Sequence, residues 1–182
     1  MDTKHLLSRY AAGEKNFNGA NLHQANLSNA DLRGINFADA DLSGADLSGA
    51  DLSGCNLTRA NLTNADLNRT NLNGANLSEV NFIGSDLMKA SLKETNLSRA
   101  DLRGANLNMA NLFNANLSEA EMSGAELRGA NLRQANLTGS NFNEAELTGA
   151  DLTGASITEQ EITESVLHIG LSHKWVTWAG SY

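Results

Sequence analysis

The chain has 182 residues, 13 basic against 21 acidic, which gives a net charge of -8 with His neutral and a pI near 4.9. One cysteine excludes a disulfide framework or a Cys-rich zinc site, and the acidic balance argues against direct nucleic-acid binding. No apolar run approaches the roughly 18 residues of a membrane span, and the N-terminus lacks a signal-peptide core, so a cytoplasmic protein without membrane attachment is expected.

Residues 1–14 read as a short helix. Asp2 or Thr3 is placed to cap its start, Ala12 to end it and Gly13 to stop it. Leu6, Leu7, Tyr10 and Ala11 fall on one face at helical spacing, which suits a cap over the open end of whatever follows.

Residues 15–167 repeat every five. From Phe17 to Leu167 each fifth position is large and apolar, 31 times without a break, and 24 of these are Leu. Two residues earlier stands a small residue, Ala in 21 of the 31 units, and between the two lies a polar one. Five residues turn an α-helix by about 140°, which would scatter the leucines around the cylinder. An odd spacing in a flat strand would throw them alternately to both faces. A chain that turns once per unit keeps every Leu and Ala inside, and its stacked coils hydrogen-bond to one another. The chain contains no proline, where about nine would be usual at a frequency of about 5%. Inter-coil bonding accounts for that, because proline offers no amide donor. Glycine at the fifth position of many units relieves the corners.

Units such as Ala25-Asn26-Leu27-Ser28-Asn29 and Ala45-Asp46-Leu47-Ser48-Gly49 resemble the A(D/N)LXX unit of the pentapeptide-repeat family. The resemblance implies an all-β fold, a right-handed quadrilateral β-helix with four units per coil, here about seven to eight coils. The segment before Asn16-Phe17 is similar to cyanobacterial members, in which an N-terminal helix caps the first coil.

A coil of 20 residues can be tested against the sequence itself. Asn16, Asn36, Asn56, Asn76, Asn96, Asn116 and Asn136 form a pure Asn column at that step. Asp39, Arg59, Glu79, Arg99 and Glu119 alternate in sign. A 15-residue coil would destroy both patterns.

The tail, 168–182, carries Trp175, Trp178 and Tyr182, including both tryptophans of the chain. It reads either as a cap on the last coil or as a dimerisation surface, since Trp and Tyr dominate interface energetics. Some members of the family dimerise through their C-terminal ends. A monomer and a C-terminal homodimer are both open.

Nothing in the sequence assembles a catalytic site. His5 and His23 sit near one end and His168 and His173 near the other, with no third metal ligand evident. No hydrolase, zincin, Walker or dinucleotide motif occurs. Cys55 takes an Ala position and reads as buried filler. The Ser and Thr residues that follow many of the leucines read as exposed and solubilising, and the Leu/Ala interior as free of cavities. The expectation is therefore a protein that is not an enzyme and holds no cofactor or metal.

The remaining signal is charge. Twelve of the 21 acids occupy the outward position before the large apolar residue. One column at the 20-residue step reads Asn26, Asp46, Asp66, Asp86, Asn106, Glu126, Glu146, so the candidate partner-binding face is Asp46, Asp66, Asp86, Glu126 and Glu146. Arg69, Lys89 and Arg128 run beside it and offset part of the charge. A protein-interaction scaffold of unknown target is the leading function. The resemblance adds an alternative, acidic DNA mimicry toward a type II topoisomerase (gyrase), although -8 is modest and no loop interrupts the repeats. A structural rod with a merely solvated face is the third reading.

Overall fold

The structure is a computed structural model that describes residues 1–157 and the backbone of 176–178. It contains a helix α1 (Thr3–Ala11) and two short strands, β1 (Ala155–Ile157) and β2 (Val176–Trp178). Between them runs a ladder of single parallel bridges, each joining a residue to the one 20 further on, from Asn16↔Asn36 to Asn136↔Ser156. Four turns per step give four sides, each made of one pentapeptide.

One unit shows why five residues suffice. The amide of Leu47 donates forward to Asp66 O at 2.7 Å, and that of Asp46 donates back to Ala25 O at 3.0 Å. Gly49 N reaches Asn68 O at 2.8 Å, and Ala50 N closes the turn onto Leu47 O at 3.0 Å. The fifth amide, Ser48 N, is taken by Asp46 Oδ1 at 3.0 Å. All five backbone donors are therefore engaged, three between coils and two within the turn. Any proline would delete one of them, so the exclusion of proline is broader than inter-coil bonding alone requires. The outward Asn or Asp is part of this accounting, because its side-chain oxygen satisfies the only amide the ladder leaves over. Where Ser91 replaces it, Asn73 Oδ1 from the coil below takes Lys93 N at 3.0 Å.

Each turn places its third residue at positive φ. Twenty-eight such positions run from Gly19 to Gly154, with φ between 55° and 74°, and 15 of them are not glycine. Positive φ with a closing bond three residues apart is the type II pattern. The sequence reading credited glycine with relieving the corners, yet more than half the turns manage without it.

The large apolar residues from Phe17 to Ile157 are all buried, and the small residues fill the space between them. Four polar residues stand in the small position, Thr70, Ser85, Thr95 and Ser140. Each hydroxyl donates to a backbone carbonyl at 2.6–2.8 Å, so none is left unsatisfied. The interior is not void-free as expected. A cavity of about 10 Å³ lies among Leu127, Leu132, Leu137, Phe142 and Leu147, close to the smallest space that holds one water.

Helix α1 lies across the first coil. Asp2 is its N-cap and accepts His5 N at 2.8 Å, while Gly13, at φ 95°, follows the C-cap Ala12. Leu6 is fully buried in the same core as Phe17 and Phe37. Tyr10 donates to Arg33 O at 2.9 Å, and Arg9 sits 5.1 Å over the Phe17 ring. Leu7 and Ala11 are exposed, contrary to the expected four-residue face. A nine-residue helix laid on the end of a rod meets it along a narrow line, and Leu6 with Tyr10 fills that line.

At the other end β2 pairs parallel with β1, setting Val176, Thr177 and Trp178 opposite Ala155, Ser156 and Ile157. The step is 21 residues rather than 20, so the tail returns to the ladder with one residue to spare. The expected repeats at 158–167 and the residues Trp175 and Tyr182 lie outside the described residues.

Candidate functional site

Two sides of the rod differ although the same backbone builds both. On the asparagine side the amide groups chain together. Asn36 donates to Asn16 Oδ1 at 2.9 Å, Asn56 to Asn36 at 3.1 Å, Asn96 to Asn76 at 3.2 Å and Asn136 to Asn116 at 3.2 Å. Each Oδ1 also serves its own turn, as in Thr58 N to Asn56 at 3.1 Å. Unlike a carboxylate, an amide can donate to one neighbour while it accepts from another, which suits the pure Asn column. The corner beside it carries ion pairs between coils, Arg59–Asp39 at 2.8 Å and Arg99–Glu119 at 3.0 Å. The Arg59 guanidinium, followed by Asn18, holds the Asp39 carboxyl below its ordinary range.

The acidic side brings Asp46, Asp66, Asp86, Glu126 and Glu146 onto one bridged column with Asn26 and Asn106, as the sequence columns anticipated. A carboxylate accepts and cannot donate, so Asp46, Asp66 and Asp86 cannot chain as the asparagines do. Their partners come from other residues. Asn68 donates to Asp86 Oδ2 at 2.7 Å, Asn106 to Asp86 Oδ1 at 3.0 Å and Asn108 to Glu126 Oε2 at 2.7 Å. Among the described residues only Glu146 of the five has an ion pair, with Arg128 at 3.4 Å. The Glu146 carboxyl is held below its ordinary range, mainly by the Thr148 hydroxyl.

The neighbouring turns carry Arg69 and Lys89, but neither closes an ion pair onto the column among the described residues. Gly49 interrupts that corner between Asn29 and Arg69. There a shallow groove of about 370 Å³ opens, lined by Asn29, Ser48, Gly49, Asp66, Asn68 and Arg69.

The Ser and Thr residues after the leucines are not mere solubilisers. Ser43, Ser48, Thr58 and Thr63 are half-buried and donate to the outward side chain at 2.6–2.7 Å, bracing the turn. Cys55 is buried as expected, and burial pushes its thiol up to about 12, so it stays protonated near neutral pH. Among the described residues no group of three His, Cys, Asp or Glu could hold a metal ion. No helix among them is long and apolar enough to cross a membrane.

The five-residue unit and its 20-residue ladder match two family models. Pentapeptide repeats, in eight copies, cover residues 16–54 and 120–158, and a pentapeptide repeat region covers 55–132. The chain is a pentapeptide-repeat protein. Its fold is accordingly the right-handed β-helix of that family. The pentapeptide-repeat protein HetL of the cyanobacterium Nostoc sp. Strain PCC 7120, involved in heterocyst differentiation regulation, is 33% identical. That match covers 87% of this chain and 81% of HetL, with a TM-score of 0.69. Rfr23 from the cyanobacterium Cyanothece 51142 is 32% identical over 81% of this chain and 94% of its own, with a TM-score of 0.29. QnrB1, a plasmid-mediated fluoroquinolone resistance protein, is 21% identical over 87% of this chain and 93% of its own, with a TM-score of 0.40. No curated protein matches the chain.

One feature of this pentapeptide-repeat rod escaped the sequence reading. Of the two outer turn positions in each described unit, large apolar residues occupy only Ile83, Met88, Met109 and Phe113, all within 31 consecutive residues. The signal was present as exceptions to the polar turn pattern, but the strict period drew attention to the interior.

Proposed function

We propose that this pentapeptide-repeat protein is a non-enzymatic protein-interaction scaffold of seven to eight coils, working in the cytoplasm and recognising a protein partner through its acidic side. The organisation is a helical cap over 1–14, the repeat rod over 15–167 and a terminal segment over 168–182. One observation carries the reading. Asp46, Asp66, Asp86 and Glu126 share one column of a rigid ladder, and none is neutralised by an ion pair among the described residues. Like charges at rung spacing, about 4.8 Å, repel. The opposite side avoids that cost with asparagine, which the same backbone accepts.

A pull-down comparing the wild type with Asp66→Asn plus Asp86→Asn tests the face. Loss of partners from the variant supports it, and an unchanged partner set discards it. The DNA-mimic alternative has no support from the likeness to QnrB1, which is one of fold alone. A gyrase supercoiling assay at two salt concentrations decides it, and no effect at micromolar protein removes it. For the tail, the homodimer reading predicts that deleting residues 171–182 lowers the sedimentation mass. A monomeric mass for both proteins leaves only the cap.

A further inference from the structure

Three of the four apolar turn residues stand at corners of the acidic side, and Phe113 lies at a corner away from it. Met88 follows Leu87 on the acidic side, and its amide bonds Asp86 Oδ1 at 3.0 Å. Met109 lies one rung further on the same corner, where Lys89 N bonds Asn108 O at 3.0 Å and Met109 N bonds Arg128 O at 2.8 Å. Ile83 stands at the far end of the Asp86 segment, at the opposite corner of that side.

Met109 is the odd residue of the rod. It is 62% exposed, the most exposed large apolar side chain among the described residues. It also takes φ 60°, a region that penalises a Cβ and that glycine fills at 13 of the 28 turns. Its side chain lies toward Gly129, whose own Cβ would meet Met109 Cγ at 3.9 Å. Glycine at position 109 would remove both the strain and the exposed thioether. An exposed, adaptable apolar group in a turn position otherwise held by polar residues or glycine suits a contact surface.

We infer that Met88 and Met109 form the apolar centre of a docking surface whose acidic rim is Asp66, Asp86 and Glu126, and that its occupant is a cationic, amphipathic protein segment. This deepens the scaffold reading and rests on it. Charge selects the occupant. None of the three rim acids has an ion pair among the described residues, and the chain as a whole carries -8. Arg69 and Lys89 border the surface without closing an ion pair onto these acids, and Arg128 is paired with Glu146. A second copy is a poorer occupant. A two-fold axis between the Met88 and Met109 rungs would set Asp66 against Glu126 and Asp46 against Glu146. An apolar centre within a polar rim is the ordinary anatomy of a protein interface.

The test is fluorescence anisotropy with an 18-residue helical Lys/Leu peptide, beside an all-Lys peptide of equal charge, in about 0.15 M salt. Three proteins are compared: wild type, Met88→Ser plus Met109→Gly, and Asp66→Asn plus Asp86→Asn. These replacements are residue types that the rod already holds in equivalent positions, and each protein's thermal midpoint is recorded as a check on folding. The inference predicts that wild type binds the Lys/Leu peptide, that the methionine variant loses about tenfold, and that its weak binding of all-Lys peptide is unchanged. Binding lost with the aspartates but retained without the methionines overturns the apolar centre and leaves the acidic face standing. No binding by wild type, or equal binding by all three, removes both. A wild-type dimer in sedimentation that the methionine variant abolishes would reassign the surface to self-association and overturn the inference.

Discussion

The asparagine and acidic sides share one backbone, one turn and one core, and differ in the outward position of each coil and in the corner beside it. On the first side most of the side chains donate to one neighbour and accept from their own turn, so the column supplies its own partners. On the second the carboxylates serve the turn equally well but have no hydrogen to pass along the rod. Residues such as Asn68, Asn106 and Asn108 must supply it. The fold requires a side-chain oxygen at this position, whereas a negative charge is surplus to it. The asparagine column is therefore explained by structure, and the acidic one is not.

The largest effect should leave the comparison untouched. Leu87 and Leu97 lie behind the acidic and asparagine sides and are both fully buried. Each Leu→Ala change should cost about 2–5 kcal/mol in urea unfolding. A consistent difference between the two sides would show that the interior, not the surface position, separates them. A smaller effect should appear when the asparagine side is made acidic. Asn76→Asp plus Asn96→Asp removes donors from the column and stacks like charges, for an expected loss of about 1–2 kcal/mol. No loss would mean that the amide ladder is ornamental.

Smaller again is Met109→Gly. Relief of the left-handed conformation should raise stability by about 1 kcal/mol, read as a higher thermal midpoint. A fall in the midpoint would make Met109 a packing residue and remove the reason for treating it as a contact.

The smallest effect concerns acid. Several surface carboxylates titrate below their ordinary range: Asp31 to about 2 through the Arg33 guanidinium, Asp101 through Arg103, and Asp41 and Asp151 through Ser43 and Thr153. The folded chain holds these charges more tightly than the unfolded one. Their stabilisation is present above about pH 4 and is lost as pH falls toward about 2. The thermal midpoint should thus decline gradually across that window, and a midpoint that rises on acidification would contradict these pairings.

Much of the fold was legible because a strict period leaves few alternatives. The five-residue step excluded helix and flat strand, and the Asn column carried the 20-residue coil before any bridge was seen. The acidic column was legible for the same reason, since residues 20 apart are neighbours along the rod. What the period cannot express was missed. The Ser48 hydroxyl looked like solubilising decoration until its bond to Asp46 showed it bracing the turn. Leu7 has helical spacing with Tyr10 and Ala11, yet the end of a rod offers a helix only a narrow seat. Arg59, Lys89 and Met109 occupy turns that favour glycine, and sequence pattern does not reveal that the backbone accepts them at positive φ. The 21-residue step to β2 breaks the very rule that made the rest readable.

The central question is whether the acids are held against the interest of the fold. The direct measurement is the urea midpoint of Asp66→Asn plus Asp86→Asn beside wild type. Amides there would extend the column from Asn106 toward Asp46, gaining two donors for the one Asn68 bond put at risk. A higher midpoint is expected, the sign of a charge retained for function at a cost in stability. A lower midpoint would make these aspartates structural and contradict the functional reading of the acidic side.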